Sequence, residues 1–553
     1  MRRIPGADSF DFALRVLGVY CGSRLVVLAG FYFAALLISL GMPGLDPKPH
    51  VRQLNERHAW RWLSGDAELS LPPLPAAGAD TLVIEGYAVS PDLEIVVTIA
   101  DTAIDTLRVA QQPREYHLAL PARSGMSDPG AGTHLKVALR SADFSPRELS
   151  AGTLPDERRL AFCLQGLRYG VARATELSIE GPGLVVRGGY GPEGRAEKLA
   201  FPEFFMSAVS QWDAGWYLDI ARHGYRFSAS ELGHYQPTAF FPLYPLVSRT
   251  VAEITGASIE ATMLVLANLF AAAGMVIFGL LLRRAFSADI AWAAVLLLSF
   301  FPLSLYLSLP YTEPFLLLLM AITLAMLQRD RIVAAAVICG ISTACRPTAI
   351  ALAPAILWQH FRPGGRWETP GARRLMGGVG LGLLSCAGII AYATYLGVRF
   401  DAPFAFSQAQ TGWARNVVHS PLEMISLSWV LRQIWWTLVH DPLALLVDPR
   451  AWGYWSLPAA LVLLLVNWRR FPFSWTLAGL VMLLIPYVFY GRTDFGLASM
   501  ARYVALDLPV FASLAILVSG PDRKALLGAL VGVFGAMLLI ASVLFAAGNY
   551  FVG

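Results

Sequence analysis

The chain has 553 residues, of which 56% are hydrophobic and 15% charged, and its mean hydropathy is +0.53. Soluble proteins carry about 25% charged residues, so this deficit excludes an ordinary soluble globule and points to a polytopic membrane protein. The net charge of +4 comes from basic residues scattered between apolar runs, which excludes a nucleic-acid surface.

The first predicted element is an apolar stretch from Phe12 to Met42, behind the basic start MRRIPG. A cleaved signal peptide has an apolar core of about 7–15 residues. This run is longer and ends at Gly-Met-Pro-Gly, so residues 1–41 are expected to form an uncleaved signal-anchor span. Residues 42–200 differ in kind. They hold no run long enough to span, and instead show alternating segments: TLVIEGYAV, LEIVVTIAD, EYHLALP and HLKVALRSA. Alternation at short, regular spacing predicts antiparallel strands of an inserted extracytoplasmic β-sandwich or jelly roll. Trp60, Trp62, Tyr87 and Tyr116 could stack on sugars there, or serve as core. Of the five cysteines at 21, 163, 339, 345 and 386, only Cys163 lies in this region, so it has no partner for a disulfide, and no C-x-x-C suggests zinc.

Residues 201–553 are predicted to be a multispanning core. Apolar runs fall at 262–282, 288–309, 312–327, 332–345, 347–360, 375–397, 452–467, 473–490, 503–519 and 525–547. With the first span they give about eleven crossings of about 20 residues each, several of them short. Basic residues favour the cytoplasmic side. An eleven-span path with a cytoplasmic N-terminus puts Arg2/Arg3, Arg283/Arg284, Arg329/Arg331, Arg362/Arg366/Arg373/Arg374, Arg469/Arg470 and Arg523/Lys524 there. The inner (plasma) membrane is the expected location. Residues 42–261, Pro310–Pro314, Arg346, 398–451, 491–502 and the C-terminus are then expected to face the other side.

Between the strands and the second span lies QWDAGWYLDIARHGY, residues 211–225. As a helix it puts Trp212, Trp216 and Ile220 on one face, which suits a membrane interface. Asp219 can pair with Arg222 or His223 along the helix. Asp213 has no basic residue at i+3 or i+4, and a carboxylate near the membrane without a partner is costly unless it has a job. The alternative is that Asp213 caps a short interfacial helix.

The stretch WDAGWYLDIARHGY followed by AFFPLYPL resembles the signature of the GPI-anchor mannosyltransferases that add the second mannose, and of their bacterial relatives. These are C-type glycosyltransferases (GT-C), multispanning enzymes that use lipid-phosphate sugars. LPYTEPFLLL at 309–318, TACRPTAI at 343–350, FAFSQAQTGWAR at 404–415 and MARYVALDLPVF at 500–511 fit the same pattern in the same order. The family often has Ser-Asn after the arginine of the second of these, where this chain has Pro347-Thr348. Residues 42–200 fall outside the resemblance.

The resemblance implies a GT-C-like fold and inverting transfer of a sugar, by family default mannose, from a polyprenyl-phosphate donor to an extracytoplasmic glycan, lipid or protein acceptor. A sugar hydroxyl is a poor nucleophile, and a positioned carboxylate that takes its proton is worth typically 10²–10⁴-fold. Asp213 is the candidate base. The phosphate leaving group needs cations, and arginine suits phosphate through paired hydrogen bonds. Arg346 and Arg502 are the candidates, with Arg492 third; each could instead pair with Glu313, Asp494 or Asp507. Trp212, Trp216, His223, Tyr225, Tyr311, Glu313, Gln410 and Trp413 are candidate substrate contacts. No cofactor is expected. No metal-ligand motif is present, although scattered carboxylates leave a Mg²⁺ or Mn²⁺ open. Two other readings are a lipid-linked-sugar flippase, which should show repeated halves with matching broken helices, and a glycan-binding assembly scaffold.

Overall fold

The computed structural model describes residues 7–39, 61–71, 81–88, 93–99, 102–110, 114–119, 135–142, 162–169, 175–177, 185–190, 201–229, 236–362, 370–410, 428–490 and 499–547. Two compact units emerge. One comprises Met1–Ala34, Phe205–Ala546 and Tyr550–Gly553; the other comprises Ala35–Phe204 and Ala547–Asn549.

The second unit is built on strands β1 (Arg61–Leu71), β2 (Thr81–Ala88), β3 (Leu93–Ile99), β4 (Thr102–Val109), β5 (Arg114–Ala119), β6 (Leu135–Arg140), β7 (Phe162–Tyr169), β8 (Thr175–Leu177) and β9 (Val185–Tyr190). They join in one antiparallel sheet in the order β4-β3-β6-β1-β7-β2-β5, with β8 on β7 and β9 on β1. Side chains alternate faces along a strand, and the buried set obeys that: Leu82 and Ile84 in β2, Leu93, Ile95 and Val97 in β3, Val137 and Leu139 in β6. The four alternating segments seen in the sequence are β2, β3, β5 and β6. The register of β1 against β9 shifts between Leu63 and Glu68. Tyr116 uses its hydroxyl to accept the Ala110 N–H at 2.9 Å. Trp60 lies outside the described residues, as do the side chains of Trp62 and Cys163.

The first unit is helical. Each of the ten apolar runs after the first span becomes helix, but not all become straight rods. Among the described residues three helices are long and apolar enough to cross a membrane: Asp8–Leu37, Ile259–Ala285 and Pro521–Ala546. Two further pairs qualify together but are bent: Ala288–Phe300 with Pro302–Ser308 by 82°, and Ala372–Ser385 with Ala387–Phe400 by 60°. Glu313–Gln328, Ile332–Cys345, Phe473–Val488 and Leu508–Val518 are shorter apolar helices. The 288–309 run is therefore a helix broken at Phe301-Pro302 and continued as a 3₁₀ turn, because proline removes a donor and clashes with the preceding turn.

Backbone freed by such a break inside a membrane must find partners. Arg24 supplies them here. Its guanidinium donates to the carbonyls of Ser299 at 2.8 Å and Ser304 at 2.6 Å, and to the Ser308 hydroxyl at 2.7 Å. The Tyr20 hydroxyl donates to the Leu307 carbonyl at 3.1 Å. The 3₁₀ turn that carries Tyr306 is thereby tied to the first helix. On the other side of the site the helices Ile332–Cys345 and Ala387–Phe400 cross in backbone contact. A Cβ on Gly388 would lie 2.2 Å from the Ala344 nitrogen and 2.4 Å from the Gly340 oxygen, and one on Gly340 would lie 2.2 Å from the oxygen of Leu384, in the preceding helix Ala372–Ser385. Only glycine permits that approach.

Candidate active site

Local sequence places three charged groups at helix ends of suitable sign. Asp213 opens the helix Asp213–His223, and Glu313 opens Glu313–Gln328 with Pro314 behind it. Helix N-termini favour anions. Arg346 terminates Ile332–Cys345 in extended backbone, φ −155° and ψ 131°. The Pro347 that follows disfavours helical backbone at Arg346, and a cation is favourable at a helix C-terminus. Arg502 comes from a short helix, Met500–Val504.

These four groups meet. Arg502 donates through Nη2 to Asp213 Oδ2 at 3.0 Å and through Nε to Glu313 Oε1. Arg346 donates through Nη1 to the same Glu313 oxygen and through Nη2 to the Tyr503 hydroxyl at 3.0 Å. The Arg502 guanidinium also lies over the Tyr306 ring at 4.5 Å and the Tyr311 ring at 4.9 Å, within the range of cation–π attraction. Tyr217 and Thr312 share a hydroxyl contact of 3.3 Å beside them. The cluster grades from inside to outside: the side chains are 1% exposed at Glu313, 2% at Arg502, 14% at Arg346 and 26% at Asp213. Only Asp213 therefore offers a reactive oxygen to an arriving molecule of any size. Glu313 Oε2 is buried and makes no hydrogen bond among the described residues.

Asp213 also has a particular approach. Trp212, immediately before it, adopts φ 60° and ψ −127°, a region that side-chain-bearing residues rarely enter. The Tyr311 hydroxyl donates to the Gln211 carbonyl at 3.0 Å, so the turn into the helix is held from outside it.

The expectation that Asp213 has no ion partner is corrected. Its partner, Arg502, lies 289 residues away in sequence, and helix spacing tests only near neighbours. Arg346 and Arg502, expected to grip phosphate, make the alternative ion pairs with Glu313, Arg502 through Nε while its Nη2 holds Asp213. Asp507 does not pair with either. It caps the helix Leu508–Val518 by accepting from the Val510 N–H at 3.4 Å. Arg492, Asp494 and Trp413 lie outside the described residues.

The remaining candidates sit apart from this cluster. Asp219 is buried and accepts from Arg226 Nη2 at 2.6 Å, with His223 Nδ1 at 2.8 Å from its other oxygen. Arg222 pairs instead with Glu260. Trp216 stacks on Phe240, with centroids 5.7 Å apart, in a cluster with Tyr217, Ile220, Tyr244 and Met263. The proposed membrane-facing stripe of this helix is thus largely packed inside the protein, since Ile220 is also buried. Tyr225 donates to the Phe240 carbonyl at 2.9 Å and Gln410 Nε2 to the Ala239 carbonyl at 3.3 Å, so both brace the loop before Leu243–Thr255. Sequence reasoning missed Tyr306 and Arg226, and gave no role to Tyr217 and Thr312 although both stood in the quoted WDAGWYLDIARHGY and LPYTEPFLLL. Tyr503 stood in view, next to Arg502 in the quoted MARYVALDLPVF. Among the described residues no group of three or more His, Cys, Asp or Glu could hold a metal ion.

The family described as Mannosyltransferase (PIG-V) matches residues 198–391. The mannosyltransferase resemblance of the sequence is thereby shown over that stretch. It contains Asp213, Glu313 and Arg346, and it supports a membrane glycosyltransferase. No curated protein matches the chain. Solved structures with similarity include the oligosaccharyltransferase of Archaeoglobus fulgidus in complex with Zn and sulfate, at 14% identity and a TM-score of 0.35, covering 63% of this chain and 49% of that one. ArnT from Cupriavidus metallidurans bound to undecaprenyl phosphate shows 16% identity and a TM-score of 0.37, covering 59% and 60%. Apo ArnT shows the same identity and TM-score, covering 63% and 75%. The chain spans about half the length of the oligosaccharyltransferase it matches.

Proposed function

We propose that this protein transfers a sugar, most simply mannose, from a polyprenyl-phosphate donor to the hydroxyl of an extracytoplasmic acceptor, with Asp213 as the general base. The observation that carries the proposal is the partly exposed Asp213 carboxylate, which lies inside the stretch that matches the mannosyltransferase family and is held by the buried Arg502.

The chemistry follows from the atoms available. Asp213 Oδ2 is bonded to Arg502, which leaves Oδ1 to take the proton of an acceptor hydroxyl as that oxygen attacks the anomeric carbon. The bond from that carbon to the phosphate oxygen breaks on the opposite face, so configuration inverts, and the polyprenyl phosphate leaves with the electron pair. The departing anion needs positive charge nearby. Arg346 is the better placed of the two arginines for this, being the more exposed. Its contact with Glu313 gives the phosphate a competitor, so donor binding requires Arg346 to share or exchange that partner. The proposed orientation has the N-terminus in the cytoplasm and this site on the far side, supported by the placement of the basic clusters.

The test is transfer of radiolabel from polyprenyl-phosphate mannose by the purified protein in detergent, in the presence of candidate acceptors. Labelled acceptor with release of polyprenyl phosphate supports the proposal. Movement of the intact lipid-linked sugar across vesicles without any transfer would replace it with a transporter.

A further inference from the structure

Glu313 was expected to touch substrate. Its surroundings argue for another task. The side chain is 1% exposed, and one oxygen, Oε1, accepts from two guanidinium groups at once. A carboxylate so enclosed has no face left for a sugar.

What Glu313 does touch is the Nε edge of Arg502. A guanidinium is planar, so fixing the Nε–H direction fixes the directions of the Nη groups as well. The rings of Tyr306 and Tyr311, T-shaped to one another with centroids 5.2 Å apart, pack against the group from one side at 4.5 and 4.9 Å. With the Nε edge held and two rings packed against the plane, the direction of Nη2 is set, and at 3.0 Å from that nitrogen lies Asp213 Oδ2. Tyr311 closes the frame, because its hydroxyl also holds the Gln211 carbonyl at the start of the strained turn through Trp212. We propose that Glu313 is a positioning residue, which acts through Arg502 to aim the Asp213 carboxylate and leave its second oxygen facing the acceptor. Tyr311 belongs to the same frame. The inference rests on the reading of Asp213 as base.

The experiment compares Glu313→Gln and Glu313→Asp in the full-length purified protein, each alone and combined with Asp213→Asn. The expected result is a loss of kcat by roughly tenfold to a hundredfold in Glu313→Gln, the size of effect that misplacing a catalytic group by about an ångström produces, with the acceptor KM unchanged. In the Asp213→Asn background the same change adds no further loss, because there is no base left to aim. Glu313→Asp keeps the negative charge but is too short to reach both guanidinium groups. It should fold and still lose kcat, so it carries the test where Glu313→Gln does not fold. Wild-type kcat in Glu313→Asp, or a loss that simply adds to that of Asp213→Asn, overturns the positioning role. Wild-type turnover in Asp213→Asn alone overturns the base itself, so the two failures are distinguishable.

Discussion

The helix Asp213–His223 carries two aspartates, six residues apart, and they live in opposite circumstances. Asp219 is 6% exposed and both of its oxygens are engaged, one near His223 and one by Arg226. Asp213 is 26% exposed, and among the described residues only Oδ2 is bonded, to an arginine that is itself buried. Both carboxylates are ion-paired, so pairing alone does not mark a structural residue. What separates them is whether an oxygen is left over. A saturated carboxylate braces the loop that follows it. One with a fixed partner and an open oxygen is oriented without being used up, which is what proton abstraction requires.

The comparison is broken most directly by removing each charge in turn. Asp213→Asn keeps the shape, so the protein should fold, while transfer falls by about 10²-fold or more. Arg502→Leu should follow closely in activity and cost more in stability. It leaves Glu313 short of one of its two partners and Asp213 with none. Breaking a buried pair in this way is worth about 3–5 kcal/mol, readable as a fall in the detergent melting temperature. An unchanged melting temperature would show that the cluster rearranges freely.

Asp219→Asn should reverse the pattern. It strips charge-assisted hydrogen bonds from His223 and Arg226, at a cost of about 1–3 kcal/mol, with turnover of the folded fraction close to wild type. Sequence spacing alone would have valued this residue at about 0.2–0.5 kcal/mol, the worth of a local helix pair. The larger figure comes from Arg226, which lies beyond the end of the helix and reaches back to a buried carboxylate. Thermal melts of the purified variant separate the two values.

Smaller still is Tyr217→Phe. It removes the hydroxyl contact with Thr312 and nothing else, and should cost about 0.5–1.5 kcal/mol. A tenfold loss of turnover in this variant would mean that the Tyr217 hydroxyl reaches the substrate, and would widen the active end of the helix beyond Asp213.

Much of the framework was open to reading from the sequence, and particular residues show why. Each apolar run became helix because burial or lipid exposure is a property of composition and length. The run 288–309 was expected as one crossing and is instead bent by 82° at Pro302, where the freed backbone is satisfied by Arg24, a residue nearly 280 positions earlier. The alternation in β2, β3, β5 and β6 was plain. In β1 the register shift between Leu63 and Glu68 blurs it. At the site, Glu313 and Arg346 were picked out by the motifs LPYTEPFLLL and TACRPTAI, and the structure places both at helix ends beside Pro314 and Pro347. The pairing of Asp213 with Arg502 could not be seen, because a contact between residues 289 apart is decided by how helices pack and leaves no local pattern. That is why Asp213 looked unpartnered and Arg502 looked free for phosphate.

The central claim is that the open end of this helix works and its saturated end braces. Steady-state transfer from polyprenyl-phosphate mannose by purified Asp213→Asn and Asp219→Asn, assayed side by side on protein shown to be folded, tests it most directly. The account predicts a loss of about 10²-fold or more for Asp213→Asn and near wild-type turnover for Asp219→Asn. Near-normal turnover in Asp213→Asn, or a larger loss in Asp219→Asn, would contradict it and move the base to another residue.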